Sequence, residues 1–145
     1  MISSTFKHAS RRQNIFPIVD RQPDYTLRCI YSGKILSDAS GNKLLKCDEE
    51  HSFPQSYQKG MRSGTGRDMH GIFAAFKSAN GSRGNLPFGV YSEEQKLIHE
   101  DENGTIFSGK PMTYIPKMNS GAVARATLYV LLCYKNCANS NYLPK

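Results

Sequence analysis

The segment NSGAVARATLYVLLCYK, residues 119–135, most constrains the fold, because it is the clearest helix in the sequence. Asn119 or Ser120 can cap its start, and Lys135 suits its C-terminal end. Its apolar side chains form one continuous stripe, which predicts a helix that is mostly buried in a hydrophobic core. The stripe contains Val123, Ala126, Val130 and Cys133, and it is widened by Leu128, Leu131 and Leu132.

Short strand patterns separated by turns precede this helix. YTLRCIY, residues 25–31, mixes β-branched and aromatic residues and predicts a strand, which the following SGK turns back into a hairpin. QKLIH and IFS flank the turn DENGT, residues 101–105, and predict a second hairpin. With 145 residues, the chain has the length of one domain. We therefore expect a single α+β domain with a small antiparallel sheet over residues 21–145, after a basic, disordered arm over residues 1–20.

A short helix is expected between these two hairpins. MHGIF, residues 69–73, is predicted to be extended, and AAFKSA, residues 74–79, to begin the helix. The Asn80–Gly81 pair is expected to loosen or end it, because Asn and Gly tolerate positive φ in turns. Asp68 is expected to hold a loop or to pair with Arg125, which is the charged residue on the otherwise apolar C-terminal helix.

Charge favours a polyanionic partner. The chain carries 19 Lys and Arg against 12 Asp and Glu, a formal net charge of +7. Residues 51–89 hold five of the cations and a single acid, Asp68, and these cations are Lys59, Arg62, Arg67, Lys77 and Arg83. No apolar run reaches the roughly 18 residues of a membrane span, so no membrane partner is expected.

Four cysteines stand at positions 29, 47, 133 and 137. An even number permits two disulfides, with three possible connectivities. The Cys133–Cys137 pair could instead supply half of a four-cysteine zinc site. Buried free thiols are the third reading, and the spacing alone leaves all three open.

The stretch CDEEHSFPQSY, residues 47–57, carries the candidate chemistry, because it places Glu50 directly before His51. Hydrolysis of a phosphodiester needs a group that takes a proton from water, and a neutral imidazole can do so. It also needs charge neutralisation at phosphorus, which a divalent cation can supply. Mg²⁺ prefers oxygen ligands, so Glu50 and one amide oxygen, from Asn80 or Asn85, can suffice.

Three blocks in the same order carry a family resemblance. EEHSFPQS (49–56), RDMHGIFAAFKSANGSRGNLPFG (67–89) and SGAVARATLYVLLCY (120–134) together resemble the endonuclease I family of bacterial periplasmic and secreted nucleases. The resemblance implies a ββα-metal (His-Me finger) core and a secreted or periplasmic location. It also implies that Glu50 and Asn85 are the protein ligands of the metal and that His51 is the general base.

The resemblance further implies an endonuclease that cleaves DNA, and often RNA, with little sequence preference and leaves 5′-phosphates. Mg²⁺ is the implied cofactor, with Mn²⁺ or Ca²⁺ as substitutes. Family members place an arginine near the scissile phosphate, and Arg62 is the candidate here, with Arg67 in reserve. Phosphate contacts are expected from Lys59, Arg67, Lys77 and Arg83.

The sequence departs from the family in three regions, and these departures keep two rival functions open. The loop 57–67 is short, Ser120 stands where a basic residue usually precedes the glycine, and little sequence follows the last helix. A minimal or truncated version is therefore expected. The rivals are a non-catalytic nucleic-acid-binding module on the same fold and a zinc-stabilised HNH-type domain.

Overall fold

The computed structural model describes residue 16 and residues 20–36, 47–58 and 68–134, and within them the fold has two small antiparallel sheets and two α-helices. The predicted α+β class is confirmed, with two sheets in place of one. The elements are β1 (Cys47–His51), β2 (Ile72–Phe76), α1 (Lys77–Arg83), β3 (Leu97–Glu100), β4 (Gly104–Phe107), β5 (Thr113–Pro116) and α2 (Ser120–Cys133), with 3-10 turns at Gln55–Tyr57 and Met69–Gly71.

Strands β1 and β2 pair antiparallel, with Cys47 opposite Phe76 and His51 opposite Ile72, and α1 follows β2 without a loop. The helix begins at Lys77 and not at Ala74, because residues 74–76 are paired with β1 and this pairing outweighs the helix propensity of alanine. The expected break at Asn80–Gly81 is wrong, since α1 continues to Arg83. The helix ends at Gly84, whose φ of 53° suits a glycine.

The second sheet has the order β3-β4-β5, and its first hairpin confirms the one predicted around DENGT. The Asp101 carboxylate accepts from the backbone N–H of Asn103 at 2.7 Å and of Gly104 at 3.0 Å. An acid that bonds its own backbone two residues on is typical of a turn. The tight turn predicted at DENGT is therefore present, and the Asp101 carboxylate closes it.

The segment predicted as the strand 25–31 is not a regular strand. It makes isolated antiparallel bridges, from Arg21 to Leu27 and from Arg28 to Ile35. The turn predicted at SGK is present, with Gly33 at φ 69° and its N–H donating to the Cys29 carbonyl at 2.8 Å. The segment therefore folds back as an irregular hairpin that places Leu27, Cys29 and Tyr31 in the core.

The described residues form two hydrophobic clusters. The smaller cluster holds Phe53 and Val130, and the larger one is the main core. Its buried side chains are Phe16, Leu27, Cys29, Tyr31, Leu36, Cys47, Ile72, Ala74, Ala75, Ala79, Tyr114 and Val123. The small alanines allow α1 to pack closely on the β1–β2 pair. Phe16 belongs to the expected N-terminal arm, yet its side chain is fully buried. Residues 1–15 and 17–19 lie outside the described residues, so the boundary between arm and domain stays a prediction.

Helix α2 buries one face only. Val123, Ala126 and Val130 are buried, as the predicted stripe requires. The expectation of a mostly buried helix is otherwise wrong, because Leu128 is 57% exposed, Leu132 is 75% exposed and Cys133 is exposed. None of the described helices is long and apolar enough to cross a membrane.

The start of α2 also differs from its prediction. Asn119 precedes the first turn with a left-handed φ of 59° and makes no side-chain cap. Its amide instead donates to the Ile30 carbonyl at 2.8 Å, which ties the helix start to the N-terminal segment. The Ser120 hydroxyl turns back to the Pro116 carbonyl at 3.4 Å. Neither candidate side chain therefore caps the helix: Asn119 makes a tertiary contact and Ser120 a local one.

Asp68 holds the C-terminal half of α2 against the segment that leads into β2. Its Oδ2 accepts from the hydroxyls of Tyr129 at 2.9 Å and Tyr134 at 2.5 Å, and its Oδ1 from the His70 backbone N–H at 3.0 Å. The predicted loop-holding role is confirmed. The predicted buried pair with Arg125 is wrong, because the Arg125 side chain is exposed on α2.

We expect Asp68→Asn to weaken the fold at neutral pH and to matter less in acid. Partial burial alone would raise the Asp68 pKa, but the hydrogen bonds from Tyr134, His70 and Tyr129 lower it from 3.8 to about 2. A carboxyl with a lowered folded pKa stabilises the fold above pH 3.8 and loses that contribution as the pH falls towards 2. The wild type should therefore be more stable than Asp68→Asn above pH 3.8. This difference in the free energy of unfolding should shrink by about 1–2 kcal/mol as the pH falls towards 2.

Urea unfolding at a series of pH values measures this difference. Tyr134→Phe removes one of the hydroxyl donors to Asp68 and should show the same trend with a smaller amplitude. A constant difference between wild type and Asp68→Asn from pH 7 to pH 2 would contradict the assignment.

Candidate active site

Glu50 and His51 end strand β1 and line one small cavity. Glu50 is 1% exposed, and His51 is half-buried. Adjacent residues of a strand point to opposite faces, yet both residues reach the cavity because the strand ends at His51. The cavity measures 140 Å³ and is also lined by Glu49, Pro54, Gln55, Asn80, Arg83, Gly84 and Asn85. At roughly 30 Å³ per water molecule, it has room for a few waters or a partly hydrated cation.

The Glu50 carboxylate is held from one side. Its Oε1 accepts from the Tyr31 hydroxyl at 2.5 Å and from Arg83 Nη1 at 2.7 Å. Its Oε2 is buried and has no hydrogen-bond partner among the described residues. Burial raises the pKa of this carboxyl to about 7, although Arg83 and the Tyr31 hydroxyl act in the opposite direction. One carboxylate oxygen is thus fixed by the protein, and the other is left for a ligand.

The His51 ring contacts Gln55, with 2.9 Å between His51 Nε2 and Gln55 Nε2. An amide nitrogen only donates, so in this orientation of the Gln55 amide, Nε2 carries the lone pair. A general base must have such a lone pair before it can accept a proton. Gln55 and His51 both line the cavity, so the two side chains are within reach of a ligand there.

A tight turn after α1 brings Asn85 to the cavity. The Leu86 N–H donates to the Arg83 carbonyl at 3.0 Å, and Gly84, between them, has φ 53° and ψ −121°. A side chain at Gly84 would be strained in this conformation. Asn85 is exposed at this turn, so its amide is accessible to a ligand in the cavity.

Asn80 lies one turn earlier on α1 and has a structural role, as predicted. Its Nδ2 donates to Asp48 Oδ2 at 3.0 Å and to the Glu49 carbonyl at 3.4 Å, which ties α1 to β1. The reason given for that role was wrong, because Asn80 is helical and forms no turn with Gly81.

Arg83 requires a correction, since it was predicted as a surface contact to phosphate. Its side chain is 1% exposed and pairs with Glu50. The same guanidinium donates to the carbonyls of His51 at 2.8 Å, Ser52 at 2.7 Å and Leu86 at 2.9 Å. Four of the five N–H donors of this buried guanidinium are bonded to the protein, so it is not available as a solvated phosphate contact.

The structure describes only some of the other predicted site residues and cysteines. Lys77 is exposed at the start of α1, and its contact with nucleic acid stays a prediction. Lys59, Arg62 and Arg67 lie outside the described residues. Among the cysteines, Cys29 is a buried free thiol, Cys133 is an exposed one, and the Cys47 thiol donates to the Asp48 carbonyl at 3.6 Å. Cys137 lies outside the described residues, so the zinc reading is untested for it.

Sequence reasoning missed Tyr31 and Gln55, which contact Glu50 and His51. Gln55 stands four residues after His51, and the proline between them gave a weak signal for a bend that returns the chain to the ring. Tyr31 is 19 residues from Glu50, and no local pattern points to their contact.

The profile of the Endonuclease I family matches residues 2–143, nearly the whole chain. The chain belongs to the endonuclease I family. No curated protein and no solved structure matches it. Membership implies a nuclease, that is, a hydrolase with a nucleic-acid substrate, and endonuclease I proteins generally depend on a divalent metal. The β1–β2–α1 arrangement is consistent with the His-Me finger core of such an enzyme.

The residues around the cavity fit the divalent metal of an endonuclease I. The donors are oxygens, the buried Oε2 of Glu50 and the side-chain amide of Asn85, as hard cations prefer. Among the described residues, no group of three His, Cys, Asp or Glu side chains could hold a metal. An oxygen pair of this kind can hold a hard cation that keeps several of its waters.

Proposed function

We propose that this protein is a metal-dependent endonuclease that hydrolyses phosphodiester bonds of DNA, and of RNA as a second substrate, with little sequence preference. One observation carries the proposal: a buried carboxylate oxygen without a hydrogen-bond partner among the described residues, an imidazole and an exposed amide line the same cavity. These are an oxygen ligand pair and a general base within one small site.

His51 takes the proton of the attacking water through Nε2, once Gln55 has given up its hydrogen bond. Glu50 and Asn85 would hold the cation, which would neutralise charge that develops on the phosphate oxygens. The water oxygen bonds to phosphorus while the bond to the 3′ oxygen breaks, and the 3′ oxygen leaves with a proton. The new end is therefore a 5′-phosphate. Arg62, with Arg67 in reserve, is proposed to stabilise charge on the phosphate.

We propose that the protein contacts the phosphates of nucleic acid and not the edges of its bases. The chain carries a net charge of +7, and Lys77 is exposed on α1, the helix that leads to the turn bearing Asn85. Lys59 and Arg67 are the other proposed contacts. Lysine and arginine contacts to phosphate carry no sequence information, which accounts for weak sequence preference. A secreted or periplasmic location is proposed on the same family grounds.

We expect the protein to nick and then degrade supercoiled plasmid in the presence of Mg²⁺ and to leave it intact in EDTA. Mn²⁺ or Ca²⁺ is expected to substitute for Mg²⁺. Gel analysis of plasmid and of a structured RNA, with end-labelling of the products, measures substrate, cation and end chemistry. Cleavage should also fall steeply with salt, because phosphate contacts release counterions. Intact plasmid after long incubation with each cation would overturn the proposal, and 3′-phosphate ends would overturn the cleavage direction.

A further inference from the structure

Arg83 is a buried cation without a role in the mechanism above. It lies in the last turn of α1 and is among the largest fully buried side chains of the described chain. Its guanidinium carbon lies 4.5 Å from the centre of the Phe88 ring, so an aromatic face covers one side of it. A buried charge is costly unless it is paired and hydrogen-bonded, and Arg83 is both.

The acceptors of Arg83 are the groups that position the site. Nη1 bridges Glu50 Oε1 and the His51 carbonyl, Nη2 reaches the Ser52 carbonyl, and Nε reaches the Leu86 carbonyl. Ser52 is the residue at which the chain leaves β1, and its N–H still bonds the Gly71 carbonyl at 2.9 Å. One rigid guanidinium therefore connects the carboxylate, the backbone of the general base and the turn that carries Asn85.

We propose that Arg83 is a positioning residue of the active site. By engaging Oε1 together with Tyr31, it orients Glu50 so that only Oε2 is open to a cation. By bonding the His51 and Ser52 carbonyls, it fixes the end of β1 from which the imidazole projects. The inference rests on the proposed function, because it assigns Arg83 a role towards the cation and the base. It does not make Arg83 a catalytic residue, since the role assigned to it acts through Glu50 and the backbone of His51 and Ser52.

Arg83→Lys tests the proposal with the charge preserved. An ammonium is a point donor on a different stem and cannot span four acceptors that a planar fork reaches together. We expect kcat for plasmid cleavage to fall about 10²-fold, the usual effect of a small misplacement of catalytic groups. KM for DNA should change by less than about threefold, because no substrate contact is lost. Mn²⁺ affinity, measured by calorimetry without DNA, should fall by about 10–100-fold.

Arg28→Lys is the matched control, since Arg28 forms an exposed ion pair with Asp24 outside the site. It should leave kcat and Mn²⁺ affinity unchanged. Wild-type kcat and Mn²⁺ affinity in folded Arg83→Lys would overturn the proposal and leave Arg83 a purely structural residue. A raised KM with unchanged kcat would also overturn it, because that pattern indicates a substrate contact.

A measurement on the unaltered protein decides the case if Arg83→Lys does not fold. The Arg83 Nε–H resonance should shift as Mg²⁺ is added, because Glu50 links the guanidinium to the cation, while the Arg28 resonance should stay in place. An Arg83 resonance that does not respond to saturating Mg²⁺ would overturn the inference. If the wild type binds the cation but cleaves no nucleic acid, the proposed function fails. Mn²⁺ affinity and the Arg83 resonance still test whether Arg83 positions Glu50 for the cation.

Discussion

Replacing His51 with alanine is expected to lower the rate of plasmid cleavage by roughly 10²–10⁴-fold, the usual contribution of a general base. The imidazole bonds Gln55 through Nε2 and lines the cavity beside Glu50, so its loss removes the proton acceptor and leaves the carboxylate untouched. Cleavage assays at saturating Mg²⁺ measure the rate. Calorimetry with Mn²⁺ and fluorescence anisotropy with a DNA duplex should give wild-type affinities.

His99→Ala is the matched control for this experiment. His99 lies on β3 in the other sheet and is exposed beside Asp101, so its removal should leave the cleavage rate unchanged. A loss of Mn²⁺ affinity in His51→Ala as large as that in Glu50→Ala would make His51 a metal ligand and contradict its role as a base.

The second large effect is expected for Asn85→Ala. Asn85 lines the cavity at a turn that Gly84 permits, and we propose its amide as the second protein ligand of the cation. Loss of a partner that only supports a metal ligand costs about 10–100-fold in metal affinity, so loss of a ligand should cost at least about 10²-fold. Cleavage should then be negligible at low Mg²⁺ and partly restored at high Mg²⁺. Titrating Mg²⁺ at fixed DNA measures this shift.

Asn80→Ala provides the comparison, because both asparagines line the cavity and only Asn80 is tied to β1. It should lower the free energy of unfolding by about 1–2 kcal/mol through the lost hydrogen bond to Asp48 and leave the Mg²⁺ requirement unchanged. In a crystal structure with metal, Asn85 Oδ1 should lie roughly 2.0–2.6 Å from the cation. Finding the Asn80 amide in that position would reverse the two assignments.

Features that involve residues close together in the chain could be predicted from the sequence. Glu50 and His51 are adjacent, the Asp101 turn follows a known pattern, and the apolar stripe of α2 correctly placed Val123, Ala126 and Val130 inward. The long-range contacts were not predictable in the same way. Nothing near Arg83 in sequence indicates that it is buried, because its acceptors at His51 and Ser52 lie more than thirty residues away.

The errors have a common physical cause. A charged residue on a short amphipathic helix is normally solvated, and only the convergence of backbone carbonyls at the end of β1 makes burial of Arg83 favourable. Likewise, alanines at 74–75 favour a helix locally, but their pairing with β1 makes them strand residues. Propensity was overridden wherever a partner from another part of the chain supplied the hydrogen bonds.

The run Arg83–Gly84–Asn85 has a consequence for how the sequence can vary in length. Arg83 points into the protein and Asn85 faces the cavity, with a single glycine between them. An inserted residue would move the amide by up to about 3.5 Å relative to the guanidinium, more than a metal–ligand bond length. Relatives that keep this chemistry should therefore accept no insertion or deletion between these positions. The Asp101–Asn103 turn, which lies outside the cavity lining, is free to differ in length.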